Sequence, residues 1–200
     1  MLPEKAESML EELLRYVKLL IHHHIILGYG GNISFRVLPK GDLILITRHG
    51  TLLELLEPKD FIPVRLSEKQ CKEASIEYPT HRLIYLKTNM NVIFHVHSTA
   101  AIVLSLRHKE GDVIKPLDEE GKILINEIPI VEAPAGTIEL AEKIVQWVIK
   151  GRNVVLARGH GIFVAEEDIK GAYIKTCAVE RSLRVLVLTK ILDALEGVTS

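Results

Sequence analysis

Two pairs of strand-forming segments in this chain are joined by connections too short to carry a crossover, and this constrains the sheet more than any other feature. Ile33 to Leu38 and Leu43 to Thr47 flank the turn Pro39-Lys40-Gly41-Asp42, and Asn153 to Ala157 is separated from Ile162 to Val164 by the tight Gly159-His160-Gly161 turn. Parallel neighbours need a dozen or more connecting residues, so both pairs must be antiparallel. Helical periodicities surround them. Met9, Leu10, Leu13, Leu14, Val17, Leu20 and Ile21 predict an amphipathic helix over Glu4 to Leu27, stopped by Gly28. Further helices are predicted from Ser75 to about Thr88, from Ser98 or Thr99 to about Leu106, from Thr137 to a stop at Gly151, and from Glu166 to about Leu195. Phe61 to Leu66, Asn91 to His97 and Ile123 to Val131 read as strands, and Arg107 to Lys122 as a polar surface loop. No linker or internal repeat interrupts residues 1–200. The expectation is an α/β protein with a single-domain α/β/α layered fold around a central mixed, largely antiparallel sheet.

Charge narrows the function. Lys+Arg 25 against Asp+Glu 26 leaves a net charge of -1, with no run of either sign to attract a nucleic-acid backbone or an anionic membrane surface. The apolar stretch Leu19 to Leu27 is broken by His22, His23 and His24, and the segment before it is rich in glutamate, so neither a spanning helix nor a secretory signal fits. A cytoplasmic location is expected. Cys71 and Cys177 lie outside any C-x-x-C pattern and read as reduced thiols. Histidine, at 9 residues, is the abundant chemical type.

His95-Val96-His97 falls at the end of a predicted strand, where alternation turns both imidazoles to one face. Such a pair can clamp a metal ion or simply be solvated. His160, between two glycines, is the natural third ligand, although Gly-His-Gly also suits an ordinary hairpin. Three neutral imidazoles with an open fourth position are the usual arrangement of a catalytic zinc. Glu77 and His81 are one helical turn apart and can face the same pocket, or solvent.

Taken together, the motifs resemble the class II sugar-phosphate aldolases. Gly30-Gly31-Asn32-Ile33-Ser34 is similar to the family's Gly-Asn-x-Ser loop, and Leu45-Ile46-Thr47-Arg48-His49-Gly50 to its Ile-Thr-x-x-Gly turn. Ser75-Ile76-Glu77-Tyr78-Pro79-Thr80-His81 resembles the Ser-x-Glu-x-x-x-His helix start, with Tyr85 after it; His95-Val96-His97-Ser98, Gly159-His160-Gly161 and Glu180 in the last helix follow in order.

The resemblance implies one zinc ion per subunit held by His95, His97 and His160, with Glu77 a ligand of the empty site and the acid/base once substrate displaces it. It implies a substrate phosphate on Gly31, Asn32, His49, Gly50 and Ser75. The implied reaction converts L-fuculose-1-phosphate to dihydroxyacetone phosphate and lactaldehyde through an enediolate, in a homotetramer with active sites at subunit contacts. Methylthioribulose-1-phosphate dehydratases and pentulose-phosphate 4-epimerases resemble the same scaffold, the latter with aspartate where Glu77 stands. So does the non-catalytic head of adducins, against which the intact histidines argue. Three departures are visible: His49 replaces a threonine, Ser75-Ile76 replaces paired serines, and no tyrosine lies between Arg107 and Val131, where the family carries a proton-donating one. His22-His23-His24 point in different directions on a helix and read as packing or interface residues, Trp147 as core, and Arg181 and Arg184 as surface.

Overall fold

A computed structural model describes residues 4–198. Eight strands form one sheet in the order β3-β2-β1-β4-β8-β7-β6-β5: β1 Gly31–Arg36, β2 Leu43–Thr47, β3 Phe61–Arg65, β4 Val92–Val96, β5 Val113–Ile114, β6 Ile128–Val131, β7 Val154–Ala157 and β8 Gly161–Glu166. Both hairpins are antiparallel as expected, and the β6–β7 pair alone is parallel. The sheet is mixed and largely antiparallel.

Alternation assigns each strand residue to a layer. Ile33, Phe35, Val92, Phe94, Val96, Ile162 and Val164 enter the core beneath α1 (Glu4–His22), α3 (Thr99–Ser105), α4 (Glu119–Leu124) and α6 (Ile169–Val198). Ile93, Phe163, Ala165 and Val155 face the other way, beneath α2 (Tyr78–Lys87) and α5 (Ile138–Ile149). His95 and Ser34 share that second face because they alternate with Phe94, Val96, Ile33 and Phe35. No helix among the described residues is long and apolar enough to cross a membrane. Cys71 and Cys177 are unpaired.

Several boundaries differ from the sequence reading. The first helix stops at His22, and His24 takes φ of 55°, so the histidine run forms a turn and Gly28 does not end the helix. Helical periodicity continued through the turn because Ile25 and Ile26 are buried from outside the helix. The segment from Arg107 is more than a loop: Val113–Ile114 add an edge strand, and Asp118 caps α4 by accepting from the Gly121 N–H. That helix takes Ile123, leaving only Ile128–Val131 as strand.

Candidate active site

The sheet register brings the two histidine motifs together. His95 pairs with Phe163 and Val96 with Ile162, so the β7–β8 turn bearing His160 reaches the end of β4, where His97 lies one residue past the strand. His95 Nε2 is 3.0 Å from His97 Nε2 and 3.2 Å from His160 Nε2. Two glycines permit this approach. A Cβ at Gly31, whose φ is +135°, would lie 2.1 Å from the His95 carbonyl oxygen, and one at Gly161 would lie 2.5 Å from that of Val96.

His95 is fully buried, and its ring stacks on Phe163 with centroids 4.0 Å apart. Its Nδ1 is 2.9 Å from the Ile162 carbonyl oxygen. A carbonyl only accepts, so Nδ1 carries the proton and the Nε2 lone pair faces the other two rings. Burial holds the His95 imidazole well below its ordinary pKa, lowers that of His97, and with the neighbouring His97 pushes His160 down to about 4. All three rings are therefore neutral at pH 7. Neutral imidazoles converging through nitrogen are the donor set of a borderline divalent metal ion, and a carbonyl orienting one ring from behind is the usual support of such a ligand. Among the described residues, these three form the cluster whose ligand atoms lie within 4.8 Å of one another.

Glu77 approaches from α2. It occupies the N-cap position, buried, with its carboxylate accepting the Gly136 N–H at 2.8 Å and the Thr80 hydroxyl at 3.0 Å. Oε1 is 3.9 Å from His160 Nε2, which is no ion pair at neutral pH because that imidazole is uncharged. Burial raises the Glu77 carboxyl above the ordinary carboxylate range, against the lowering effect of its two hydrogen bonds. Ser75 is not the helix cap that the sequence suggested: its hydroxyl accepts the Glu77 N–H, and the helix begins two residues later than a Ser75 cap requires. His81 does not share the pocket with Glu77 either. It is fully buried, bonded to Ser34 and Asn32.

A cavity of about 190 Å³ opens above these groups. Gly31, Asn32, His49, Gly50 and Ser75 line it together with Glu77, His97 and His160, while His95 lies behind its floor. His95, His97, His160, Glu77 and the five residues expected at the phosphate are thus gathered at one place, whereas His81, Tyr85 and Glu180, drawn from the same motifs, do not line the cavity. Sequence reasoning missed Gly136 and Thr80, the groups that hold Glu77. Thr80, three residues ahead at a helix start, carried a usable local signal; Gly136, 59 positions away in sequence, carried none.

Fold and site together define an α/β protein with a cluster of three histidines, one buried and two half-buried, and a buried carboxyl beside it, at the floor of a small cavity. The profile of the class II aldolase and adducin N-terminal domain family matches residues 11–187. The chain belongs to that family. Among its relatives, an L-fuculose phosphate aldolase of Methanocaldococcus jannaschii is 29% identical over 181 residues, covering 89% of this chain and 95% of that protein. A methylthioribulose-1-phosphate dehydratase of Bacillus mycoides is 33% identical over 153 residues, covering 69% and 70%. The crystal structure of L-fuculose-1-phosphate aldolase from Thermus thermophilus superposes with a TM-score of 0.82 at 27% identity, covering 91% of this chain and 94% of that one.

Proposed function

We propose that the protein is a zinc-dependent aldolase that cleaves and forms a small phosphorylated ketose, with L-fuculose-1-phosphate, dihydroxyacetone phosphate and lactaldehyde as its reactants. The observation that carries this reading is the His95 tautomer: the Ile162 carbonyl leaves a lone pair directed at two further neutral imidazoles, on the floor of a cavity that Glu77 also lines. His95, His97 and His160 would hold a divalent ion, whose chemistry there would be polarisation of the substrate carbonyl.

The protein's own groups then have distinct tasks. Glu77 takes the proton from the hydroxymethyl carbon of dihydroxyacetone phosphate; its raised pKa brings its basicity nearer to working pH, while Gly136 and Thr80 hold its orientation. The electron pair left on that carbon forms the new bond to the aldehyde carbon, whose oxygen takes up a proton. Cleavage runs the same steps backwards. Asn32, the Gly50 N–H and the Ser75 hydroxyl bind the phosphate, with Gly31 allowing close approach and His49 adding a polar ring. Polar donors without an excess of cations suit a single phosphate on a small sugar.

A second reading, methylthioribulose-1-phosphate dehydratase, is favoured by the Bacillus relative, and the same cavity residues serve a ketose phosphate there. The protein acts in the cytoplasm as a homotetramer, a state supported by Leu188, Ile191 and Leu192, which expose 60%, 50% and 58% of their surface along one side of α6. The deciding experiment is solvent deuterium exchange into dihydroxyacetone phosphate, followed by NMR with no aldehyde present. Exchange that ceases on chelation supports the aldolase; no exchange from zinc-loaded protein, with turnover of methylthioribulose-1-phosphate, replaces it with the dehydratase.

A further inference from the structure

A polar chain leads from the cavity into the core behind it. The Tyr85 hydroxyl is 2.7 Å from Ser34 Oγ, Ser34 Oγ is 2.6 Å from His81 Nδ1, and His81 Nε2 is 2.6 Å from Asn32 Oδ1. Tyr85, Ser34 and His81 are all buried within 1% exposure, whereas Asn32 lines the cavity. Hydroxyls and imidazoles can donate or accept, so the distances alone permit protons to point either way along the chain.

Tyr85 settles the direction. Its phenol is enclosed, and the neighbouring Ile93 backbone N–H can only donate. Among the described residues Ser34 Oγ is the acceptor within reach of the phenol proton. Were Ser34 to donate to Tyr85 instead, that proton would be stranded in the core, which native interiors avoid. Tyr85 therefore donates to Ser34, and Ser34 turns its own proton to His81 Nδ1. His81 must then carry its proton on Nε2 and donate to the Asn32 carbonyl oxygen. The end of the amide left for the cavity is its NH2 group.

We propose that Tyr85, Ser34 and His81 form a one-way hydrogen-bond relay that locks Asn32 with its NH2 toward the cavity, so that the ligand must place an acceptor oxygen there and His81 is a positioning residue for binding. The relay stands on geometry alone; the identity of the oxygen, on a phosphate or on the ketose, rests on the sugar-phosphate reading.

The test begins on the free, zinc-loaded protein, where long-range 1H–15N NMR of labelled histidine reads the His81 tautomer, assigned by its perturbation in S34A. A proton on Nε2 is expected; a proton on Nδ1 overturns the relay. Binding of inorganic phosphate and of unphosphorylated dihydroxyacetone is then measured for the wild type, His81→Gln and His81→Phe, following the Asn32 side-chain NH2 signals. Glutamine can still donate to Oδ1, so His81→Gln should keep the wild-type affinity. His81→Phe should weaken binding about tenfold, and in turnover raise KM with kcat per zinc unchanged. Equal loss in both variants, or a fall confined to kcat and melting temperature, reduces His81 to a packing residue and overturns its positioning role. A response to phosphate assigns the oxygen to phosphate, and a response to dihydroxyacetone alone assigns it to the ketose. A lack of phosphate binding by the wild type strikes the sugar-phosphate reading only, because the tautomer is read without ligand.

Discussion

Replacing Glu77 by Gln separates the chemistry of this site from its architecture. Gln is isosteric, its Oε1 can still accept the Gly136 N–H, and its NH2 can donate to Thr80 Oγ1 once that hydroxyl rotates, so both orienting contacts survive. The change removes a buried carboxylate whose pKa is already raised by desolvation, so the stability cost is small: about 1 kcal/mol at most, of either sign. Proton abstraction has no such replacement, because an amide is not a base at neutral pH. A positioned general base contributes about 10²- to 10⁴-fold, which corresponds to roughly 3–5 kcal/mol of barrier. Deuterium exchange into dihydroxyacetone phosphate should therefore slow by at least about 100-fold. Zinc content by mass spectrometry and the melting temperature should stay near the wild-type values. Exchange within threefold of the wild-type rate at full zinc occupancy would remove Glu77 from the mechanism, whatever its proximity to His160.

Four further outcomes are expected. His95→Ala should lose zinc, since His95 is the ring from which the other two Nε2 atoms lie 3.0 and 3.2 Å away; stoichiometric zinc in the purified variant would overturn the ligand assignment. Gly31→Ala should destabilise by about 3 kcal/mol or more, from a left-handed φ and a clash with the His95 carbonyl, and an unchanged melting curve would contradict that geometry. Burial lowers His81 from 6.5 to about 3, so the folded state binds fewer protons than the unfolded one across that window. Its contribution is complete above pH 6.5 and declines as pH falls toward 3, by about 1.4 kcal/mol per unit; denaturant titrations at pH 7 and 5 should show a steeper loss for wild type than for His81→Gln. Leu192→Glu places charge on an exposed apolar face of α6; if the proposed homotetramer uses that face, the sedimentation coefficient should fall below that of the wild type, whereas an unchanged value would place any interface elsewhere.

The sequence made most of this site readable because its parts are local. H-x-H needs only the period of a strand to put two rings on one face, and Gly-His-Gly needs only a hairpin, so both were legible without knowing the partner strand. Their meeting was not, because it depends on β4 lying beside β8, a pairing between residues 65 or more positions apart. His81 was misjudged for a related reason. Helical spacing placed it one turn from Glu77, but Glu77 stands at the helix cap with its side chain drawn to Gly136, while His81 is drawn to Ser34 and Asn32. The end of α1 was misread because apolar residues continue past His22, and period alone cannot tell a helix from a turn that buries its own side chains. The short helix at Glu119–Leu124 was hidden by charge, although Asp118 with an acidic first turn is a capping signal that composition obscured.

The family includes adducin domains as well as aldolases, and the energetics of the histidine cluster favour the enzymatic branch for this chain. His95 is completely buried, and its Nε2 confronts two more imidazole nitrogens instead of a dedicated donor. His160 Nδ1 is buried with no hydrogen-bond partner among the described residues. In a scaffold used only for docking, these are costs with no return: an apolar side chain stacked on Phe163 would remove the desolvation penalty and keep the packing. A bound metal would offset the first of these costs, because ligation consumes the lone pairs that converge through Nε2 and would add its binding free energy to folding, although it would not reach His160 Nδ1. The cluster is thus a local conflict of the kind that proteins keep where function requires it, and its position beneath Glu77 and the Asn32 relay ties that function to a ligand in the cavity above.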